Sequence, residues 1–361
     1  MGLAHAYAAA KRGKSVTVFE RDSSARGASI RNFGMVWPIG LPGEVRPLGM
    51  RSREIWLEVI EAAKLHHRPT GSLHLAYRED ERDVASEFAE IAPAHGYSCE
   101  WLDRRQVLQR SAAVCGVDLL RGLWSAAELT VDPREVATRL PAFLRERYGV
   151  QFFFDSPVRD VHARRLDVGG ELYEAGTVII CSGDDFRTLY PELFRQSEIT
   201  RCKLQMMRTV PQPNGWSLGP SLAAGLTFRL YPAFELCKSL PALKARIASE
   251  MPEYDQWGIH VLVSQTSRGE LTIGDSHEYG RVVDVFDKEE LDRLILDYLQ
   301  KFLVAPELRI MERWHGVYSK VPGKPYLSWN PEDNVWIVSG VGGFGMTLSF
   351  GIGEQTIQNI G

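Results

Sequence analysis

GLAHAYAAAKRGKSVTVFE, residues 2–20, and WIVSGVGGFGMTLSFGIGEQT, residues 336–356, are the two stretches that best indicate the fold class of this chain. The first stretch predicts a helix over Leu3–Arg12, a break at Gly13, and a short buried strand over Ser15–Glu20. The second predicts a strand over Val335–Ser339, a glycine-rich turn, and a helix from about Met346. Alternating strands and helices of this kind are typical of an α/β protein.

Composition narrows the classes of function. The 361 residues include 42 Lys and Arg against 46 Asp and Glu, and a net charge of −4 argues against a nucleic-acid-binding protein. No apolar run approaches the roughly 18 residues of a membrane-spanning helix, and the first residues do not resemble a signal peptide. Five scattered cysteines without a Cys-x-x-Cys pair indicate reduced thiols, so we expect a cytoplasmic protein.

The first stretch contains part of a dinucleotide-binding motif. A Rossmann site uses a strand, a G-x-G-x-x-G turn, a helix, and a second strand that ends in an acid. Gly2 and Glu20 are 18 positions apart, which suits the third glycine and the ribose-binding acid. The first strand and two glycines are not seen, so we expect that the sequence begins inside the motif. Taken alone, the segment is equally compatible with an ordinary helix–turn–strand.

Two further loops are suited to anion binding. Residues 27–34, GASIRNFG, form a small polar loop that can bring backbone N–H groups and a guanidinium to a diphosphate. The turn at Gly340–Gly345 directs a helix N-terminus toward an anion, which suits the negative charge of a reduced flavin. A purely structural turn is the alternative for this glycine-rich segment.

Four tracts resemble the D-amino-acid-oxidase-type FAD-dependent oxidoreductases, a group that includes glycine oxidase and sarcosine oxidase. They are GLAHAYAAAKRGKSVTVFERD, GASIRNFGM, VIICSGDDF and WIVSGVGGFGMTLSFGIGEQT. The resemblance implies an α/β fold with a Rossmann-like FAD-binding domain, built from residues 1–65, 130–190 and 325–361. A second α+β substrate domain on a mainly antiparallel sheet would comprise residues 66–129 and 191–324.

The resemblance also implies which residues hold FAD. Glu20 would bind the adenosine ribose, and Val158 would contact adenine through its backbone. No cysteine follows Cys237, so the thioether link of the sarcosine-oxidase branch is not available and we expect non-covalent FAD. The other residues expected at the cofactor are Gly2, Arg21, Ser29, Arg31, Asn32, Gly183, Gly342, Gly343, Phe344, Gly345, Met346 and Thr347.

Candidate substrate-side residues lie in the predicted second domain. A predicted strand ends in the polar segment Ile273–Glu278, although a polar turn at a sheet edge is the alternative. Within it, His277 is our candidate for a proton acceptor or polar anchor, because an imidazole titrates near neutral pH. Lys203 and Gln205 share one strand face by alternation and, with Lys320, are candidates for substrate binding. No spacing typical of a metal site is present, so we expect no metal.

One departure from the family bears on the substrate. Residues 314–319, WHGVYS, resemble the tract W-x-G-x-R-P of glycine-oxidase-like enzymes, in which the arginine pairs with the substrate carboxylate. Tyr318 occupies that position and has neither the charge nor the fork of arginine. The resemblance extends to a subgroup linked to aminophosphonate breakdown. It therefore favours 2-aminoethylphosphonate or its N-methyl derivative, with Tyr318 orienting the substrate during oxidation of its C–N bond.

Other functions stay open. Another basic residue can take over the carboxylate, which would make the protein an oxidase or dehydrogenase of glycine, sarcosine or a D-amino acid. A degenerate, non-catalytic FAD-fold protein is a second alternative. An NAD(P)-dependent dehydrogenase is disfavoured because no complete glycine-rich motif precedes a second Rossmann half. The expected partners are a small amine and an electron acceptor, either oxygen or another carrier.

Overall fold

A computed structural model describes residues 1–360 of the chain. Its helices within that range are α1 Gly2–Lys11, α2 Arg46–Ala63, α3 Glu79–Ile91, α4 Arg104–Arg110, α5 Pro133–Tyr148, α6 Pro191–Gln196, α7 Leu240–Glu250, α8 Pro252–Gln256, α9 Glu289–Phe302 and α10 Gly345–Ile360.

The strands within residues 1–360 fall into five sheets. They are β1 Thr17–Phe19, β2 Met35–Val36, β3 His67–Arg68, β4 Ser72–Ala76, β5 Glu100–Asp103, β6 Arg121–Ser125, β7 Leu129–Val131, β8 Gln151–Phe153, β9 Val158–His162, β10 Arg165–Val168, β11 Glu171–Glu174, β12 Val178–Ile180, β13 Thr200–Thr209, β14 Ser221–Ala224, β15 Leu262–Gln265, β16 Leu271–Gly274, β17 Glu278–Gly280, β18 Ile310–Lys320, β19 Leu327–Glu332 and β20 Val335–Ser339.

Two parallel strand pairs form the centre of the α/β part. β1 runs parallel to β8, and β12 runs parallel to β20, whose other edge carries the antiparallel β19. Helix α1 packs against both β1 and β12. Parallel strands whose crossovers are helices are the arrangement that the alternating sequence pattern predicts.

Helices α1, α2 and α10 pack closely because two glycines of α10 remove side chains at the crossings. A Cβ atom on Gly353 would lie 2.8 Å from the Ala4 carbonyl oxygen, and one on Gly351 would lie 2.6 Å from the Leu48 carbonyl oxygen. A helical glycine costs about 1 kcal/mol relative to alanine. Here that cost is offset by the packing of α10 directly on the backbones of α1 and α2.

The remaining architecture is dominated by one large, mainly antiparallel sheet. Its strands are ordered β17-β13-β16-β15-β14-β4-β6-β5, and β18 pairs with β13. Helices α3, α7 and α9 contribute Phe88, Leu243 and Ile295 to the largest hydrophobic core of the molecule. The sheet therefore has a face that helices cover. The mixed α/β fold class is confirmed, whereas the domain boundaries stay a prediction.

The pairing of β13 with β18 determines which side chains share a face. Cys202 pairs with Tyr318, and Lys203 pairs with Val317. Because side chains alternate along a strand, Cys202 and Tyr318 point to one side and Lys203 to the other. The backbone of Arg31 lies against β18 at Gly316, where a Cβ atom would be 3.0 Å from the Arg31 carbonyl oxygen.

A membrane-spanning helix was also sought. Among residues 1–360, no helix combines the length and the apolar character that crossing a membrane requires.

Candidate active site

The carboxyl ends of β1 and β12 meet at one edge of the molecule. Arg21, just after β1, forms an ion pair of 2.6 Å with Asp185 in the loop after β12. The N-terminus of α1 lies at the same edge, since a Cβ atom on Gly2 would be 3.8 Å from the Cys181 Cβ atom. The strand ends and a helix N-terminus at this edge form the kind of crevice where α/β proteins bind nucleotides.

Glu20 lies at this edge beside the segment that leads to Val158. The Ser156 N–H donates to the Glu20 carbonyl oxygen over 2.9 Å, so the segment that leads into β9 runs beside Glu20. One carboxylate oxygen of Glu20 accepts the Asp22 N–H at 3.1 Å. The side chain is only partly buried, so its other oxygen is open to a ligand.

Arg21 is engaged within the protein. Its partner Asp185 is partly buried, which opposes ionisation, but hydrogen bonds from Thr188, the Arg187 N–H and Arg21 lower the pKa of Asp185 to about 2. Asp185 is therefore ionised at neutral pH and joins the loops after β1 and β12.

The loop over residues 27–34 is fixed by its own side chains. The Asn32 side-chain amide donates to the carbonyl oxygens of Ala28 and Ser29, and its oxygen accepts the Gly34 N–H at 2.7 Å. Gly34 has φ +72°, and a Cβ atom there would lie 1.9 Å from the Val131 carbonyl oxygen, so only glycine fits. Arg31 donates to the His315 carbonyl oxygen at 3.3 Å, which holds the loop against β18.

The glycine-rich turn lies beside the loop that follows β12. Ser339, the last residue of β20, donates to the Gly183 carbonyl oxygen at 2.9 Å. A short 3₁₀ turn, Gly342–Phe344, leads directly into α10. The start of α10 is anchored by two bonds: the Thr347 hydroxyl accepts the Trp37 N–H at 2.9 Å, and the Met346 carbonyl accepts the Trp56 indole N–H at 2.7 Å.

Tyr318 lies across from this turn. A Cβ atom on Gly343 would be 3.5 Å from the Tyr318 hydroxyl oxygen, so the phenol faces the turn. Burial is the largest cause that raises the pKa of Tyr318 well above its ordinary value. The phenol therefore stays neutral and able to donate a hydrogen bond. Cys202 lies beside it, and burial raises the pKa of its thiol to about 12, although hydrogen bonding to Tyr318 opposes this.

Lys320 lies on the same face of β18, two residues beyond Tyr318. Its side chain passes the turn, because a Cβ atom on Gly342 would be 3.6 Å from the Lys320 Cγ atom. Its ammonium nitrogen is 5.0 Å from the centre of the Tyr279 ring. Within residues 1–360, this ammonium has no carboxylate at ion-pair distance. It is therefore a cation that is available to an anionic ligand.

His277 belongs to a compact group with His260 and Asp275. The ligand atoms of the three side chains all lie within 4.8 Å of one another. The two imidazole rings are stacked, with centroids 5.1 Å apart and an interplanar angle of 29°. The Gly258 carbonyl lies 2.9 Å from His277 Nδ1. Burial lowers the pKa of His277, although Asp275 and the Gly258 carbonyl oppose this, so the ring is neutral at neutral pH.

The antiparallel pairing of β15 and β16 explains why these three residues meet. The pairing continues past the strand ends, where the Asp275 N–H donates to the His260 carbonyl oxygen at 2.8 Å. The His277 N–H donates to the Trp257 carbonyl oxygen at 2.7 Å. Residues 15 positions apart in sequence are therefore adjacent in the fold.

The group faces the glycine-rich turn through Tyr231. The Tyr231 ring is 5.7 Å from the His260 ring and 6.0 Å from the Phe344 ring. Burial, followed by the charge of Asp275, raises the pKa of Tyr231. Tyr318, Lys320 and His277 are thus brought to the same region of the molecule as Gly342, Gly343 and Phe344.

Lys203 and Gln205 do not join this group. Lys203 forms an ion pair of 2.9 Å with Asp287, and Gln205 donates to Asp292 of α9 at 2.9 Å. Both side chains lie on the opposite face of β13 from Cys202. Their assignment to the substrate stays a prediction.

The family model described as "DAO: FAD dependent oxidoreductase" matches residues 1–358 of this sequence. The chain belongs to this family. It is therefore an FAD-dependent oxidoreductase of the D-amino-acid-oxidase type, and FAD is its cofactor.

Several solved structures share the fold of this chain. Glycine oxidase from Geobacillus kaustophilus is 18% identical over 99% of this chain and 91% of that chain, with a TM-score of 0.78. L-proline dehydrogenase from P. horikoshii is 20% identical over 99% and 90%, with a TM-score of 0.78. Dithionite-reduced L-α-glycerophosphate oxidase from Mycoplasma pneumoniae with FAD bound is 15% identical over 99% and 91%, with a TM-score of 0.74. Among curated proteins, no sequence matches this chain at a significant level.

The geometry of this DAO-family chain fits FAD. The partly open carboxylate of Glu20 suits a ribose hydroxyl, and the N-terminus of α10 has no acid in its first turn, so it can face the negative end of a flavin. The individual cofactor contacts, and the absence of a covalent link, stay predictions.

Sequence reasoning missed His260 and Asp275 as a pair. Asp275 lies in the polar segment after β16, and His260 lies just before β15. The sequence did carry one signal for this pair. If the two predicted strands form a hairpin, the start of the first strand lies beside the end of the second.

Proposed function

We propose that this DAO-family oxidoreductase oxidises a C–N bond of a small zwitterionic amine, with 2-aminoethylphosphonate or its N-methyl derivative as the preferred substrate. The observation that carries the proposal is the character of the groups around the glycine-rich turn. The Tyr318 hydroxyl faces Gly343, and Lys320 supplies a cation without an acidic partner within residues 1–360. Asp275 supplies a buried carboxylate in the same group.

These groups suit a tetrahedral anion better than an α-carboxylate. An α-carboxylate is bound best by a planar bidentate guanidinium, whereas an ammonium ion and a phenol donate as separate points. Lys320 and Tyr318 are separate donors of that kind, and a phosphonate offers three oxygens to them. A 2-aminoethylphosphonate places its anion one carbon further from the reacting carbon than an α-amino acid does.

Bound FAD supplies the acceptor for the two electrons that leave the C–N bond. The protein supplies orientation and electrostatics. Tyr318 stays a neutral donor, Lys320 neutralises the anion, and His277 is a neutral imidazole that can anchor the substrate or accept a proton. The imine product hydrolyses to a carbonyl compound and an amine or ammonia.

The test is anaerobic bleaching of flavin absorbance in the purified holoenzyme. The panel is 2-aminoethylphosphonate, its N-methyl derivative, glycine, sarcosine, D-alanine and ethylamine. We expect fast bleaching by an aminophosphonate and slow bleaching by the amino acids. Fast bleaching by glycine, sarcosine or D-alanine, with none by the aminophosphonates, assigns the protein to amino acid oxidation instead. Protein that binds FAD but is bleached by no amine supports the non-catalytic alternative.

A further inference from the structure

We propose that Asp275 binds the substrate ammonium and accepts a proton from it, with His260 as the next proton carrier. This inference rests on the proposed function, because it assigns the amine end of the same site. It concerns two residues to which neither the sequence motifs nor the family match assign a role.

Asp275 is a buried carboxylate, and one of its oxygens lacks a hydrogen-bond donor among the described residues. The residue is 5% exposed, and its Oδ1 atom has no hydrogen-bond donor within residues 1–360. His260 Nε2 lies 3.0 Å from Oδ1, close enough for an ion pair but not aligned as a hydrogen bond. A buried carboxylate oxygen without a donor is costly, and an ammonium ligand would supply the missing donor.

His260 is placed to receive the proton. It is 5% exposed, and its Nδ1 atom is buried without a hydrogen-bond partner within residues 1–360. Transfer from the ammonium to Asp275 breaks an N–H bond and forms an O–H bond, so a buried ion pair becomes a neutral amine and a neutral acid. Movement of the same proton over the 3.0 Å to His260 restores the carboxylate beside an imidazolium. The amine is then free of the proton that prevents its oxidation.

The surroundings of Asp275 limit which other groups can take this role. The titratable groups that face it are His260 before β15, His277 and Tyr279 after β16, Cys202 and Tyr318 on β13 and β18, and Tyr231 near the turn. Lys320 interacts with Cys202 and His277 at the edge of this set. Asp275 is the one carboxylate among them, and the phenols and the thiol hold their protons at neutral pH.

A divalent metal is the competing occupant of His260, Asp275 and His277. Imidazole lone pairs lie in the ring planes, so two rings that coordinate one ion must have planes that converge on it. The rings of His260 and His277 are stacked, with centroids 5.1 Å apart and an interplanar angle of 29°. Because the ligand atoms lie within 4.8 Å of one another, the metal analysis described below decides between the two occupants.

The kinetic test compares wild type with Asp275→Asn, with Glu278→Gln as the matched control. Glu278 is a nearby carboxylate whose oxygens are engaged by Lys288 and the Asp284 N–H. A proton acceptor contributes about 10²–10⁴-fold in rate, so D275N should slow anaerobic bleaching by that factor at pH 7. Its rate should then rise about tenfold per pH unit toward the pKa of the free amine, while wild type and E278Q level off. A D275N rate within threefold of wild type overturns the proposal.

A binding measurement tests the same assignment without turnover. Calorimetry compares 2-aminoethylphosphonate with ethylphosphonate, which lacks the amine, at pH 7 in oxygen-free buffer. D275N should lose at least tenfold in affinity for the first, with no loss for the second, and E278Q should lose neither. Equal losses for both ligands would indicate a general disturbance of the site and overturn the ammonium assignment.

A second variant and a metal analysis complete the test. His260→Gln keeps the carboxylate, so ammonium affinity should stay within threefold of wild type while the rate at pH 7 falls more than tenfold. If H260Q oxidises the amine at the wild-type rate, His260 does not carry the proton. A stoichiometric divalent ion in wild-type protein that is lost in D275N would assign the group to metal binding and overturn the proposal. If no amine bleaches wild type, the proposed function fails, and the calorimetric arm still tests Asp275.

Discussion

At the scale of single residues, the proposed role of Tyr318 in orienting the substrate can be tested directly. Tyr318→Phe removes the hydroxyl that faces Gly343 and keeps the ring. The loss of one hydrogen bond from a neutral donor is worth about 0.5–1.5 kcal/mol. We expect KM for the preferred aminophosphonate to rise about 2- to 13-fold. Because the pKa of Tyr318 is raised far above neutrality, the pH profile between pH 6 and 9 should keep its shape. A pH profile that changes shape would show that Tyr318 takes part in proton transfer.

The corresponding prediction for FAD binding concerns Glu20. Glu20→Ala removes the carboxylate that is open to a ribose hydroxyl and should weaken FAD binding by about 1–3 kcal/mol. Asp22→Ala is the matched control, because it removes a neighbouring carboxylate but keeps the backbone N–H that Glu20 accepts. Fluorescence titration of apoprotein with FAD measures both. Equal FAD affinity of E20A and wild type would show that Glu20 does not bind the cofactor.

Individual residues also show how much of the candidate site can be predicted from the sequence alone. The polar segment after Gly274 and the tyrosine at position 318 are visible in the sequence, and the structure brings both to the glycine-rich turn. His260 was not found, because its proximity to Asp275 depends on the pairing of β15 with β16. A register cannot be derived from two short apolar runs, since a shift of one residue leaves the apolar pattern of a fully buried strand intact.

At the scale of elements, the contact between α10 and α1 leaves no room for a larger side chain at Gly353. Gly353→Ala places a methyl group within 2.8 Å of the Ala4 backbone, so the helices must separate. Overpacking of this kind costs about 1–3 kcal/mol. Gln358→Ala, at an exposed position of the same helix, should leave stability nearly unchanged. Urea denaturation of both variants measures the difference, and a G353A protein as stable as wild type would contradict the close packing.

The periodicity of apolar residues predicted most helices and strands. It did not predict which face of a strand points toward the glycine-rich turn. Alternation correctly places Lys203 and Gln205 on one face of β13. Which face points toward the glycine-rich turn depends on α9, whose Asp292 accepts from Gln205. Helix α9 is amphipathic, and its apolar side packs into the large core. The packing of a distant helix therefore decides a question that local alternation leaves open.

At the scale of the whole molecule, the site depends on segments that are far apart in sequence. The glycine-rich turn comes from the end of the chain, Glu20 from the beginning, and Asp275 from the large sheet. Motifs with a fixed local spacing, such as Gly2 to Glu20, were visible because their geometry is local. The meeting of Tyr318, Lys320 and Asp275 follows from long-range strand pairing and was only partly predictable.

The stability of the whole molecule should fall in mild acid because of buried histidines. His74 in β4 is fully buried, both its ring nitrogens lack a hydrogen-bond partner within residues 1–360, and it packs on Trp37 and Phe234. Burial, followed by repulsion from His260, lowers the pKa of His74 to about 3. In the unfolded chain a histidine titrates near pH 6.5. Below that pH the unfolded state binds a proton that the folded state does not, so stability is lost as the pH falls toward 3, by about 1.4 kcal/mol per unit.

His74→Leu tests this assignment. The variant keeps an apolar side chain of similar size and removes two unpaired nitrogens, so at pH 7.5 its free energy of unfolding should be no lower than that of wild type within about 1 kcal/mol. At pH 5.0, 1.5 units below the unfolded pKa, it should exceed wild type by about 2 kcal/mol more than it does at pH 7.5. His95→Leu, at an exposed position, is the control and should leave the difference between the two pH values unchanged. Urea denaturation at both pH values decides the matter. If H74L loses as much stability as wild type between pH 7.5 and 5.0, His74 does not cause the acid sensitivity.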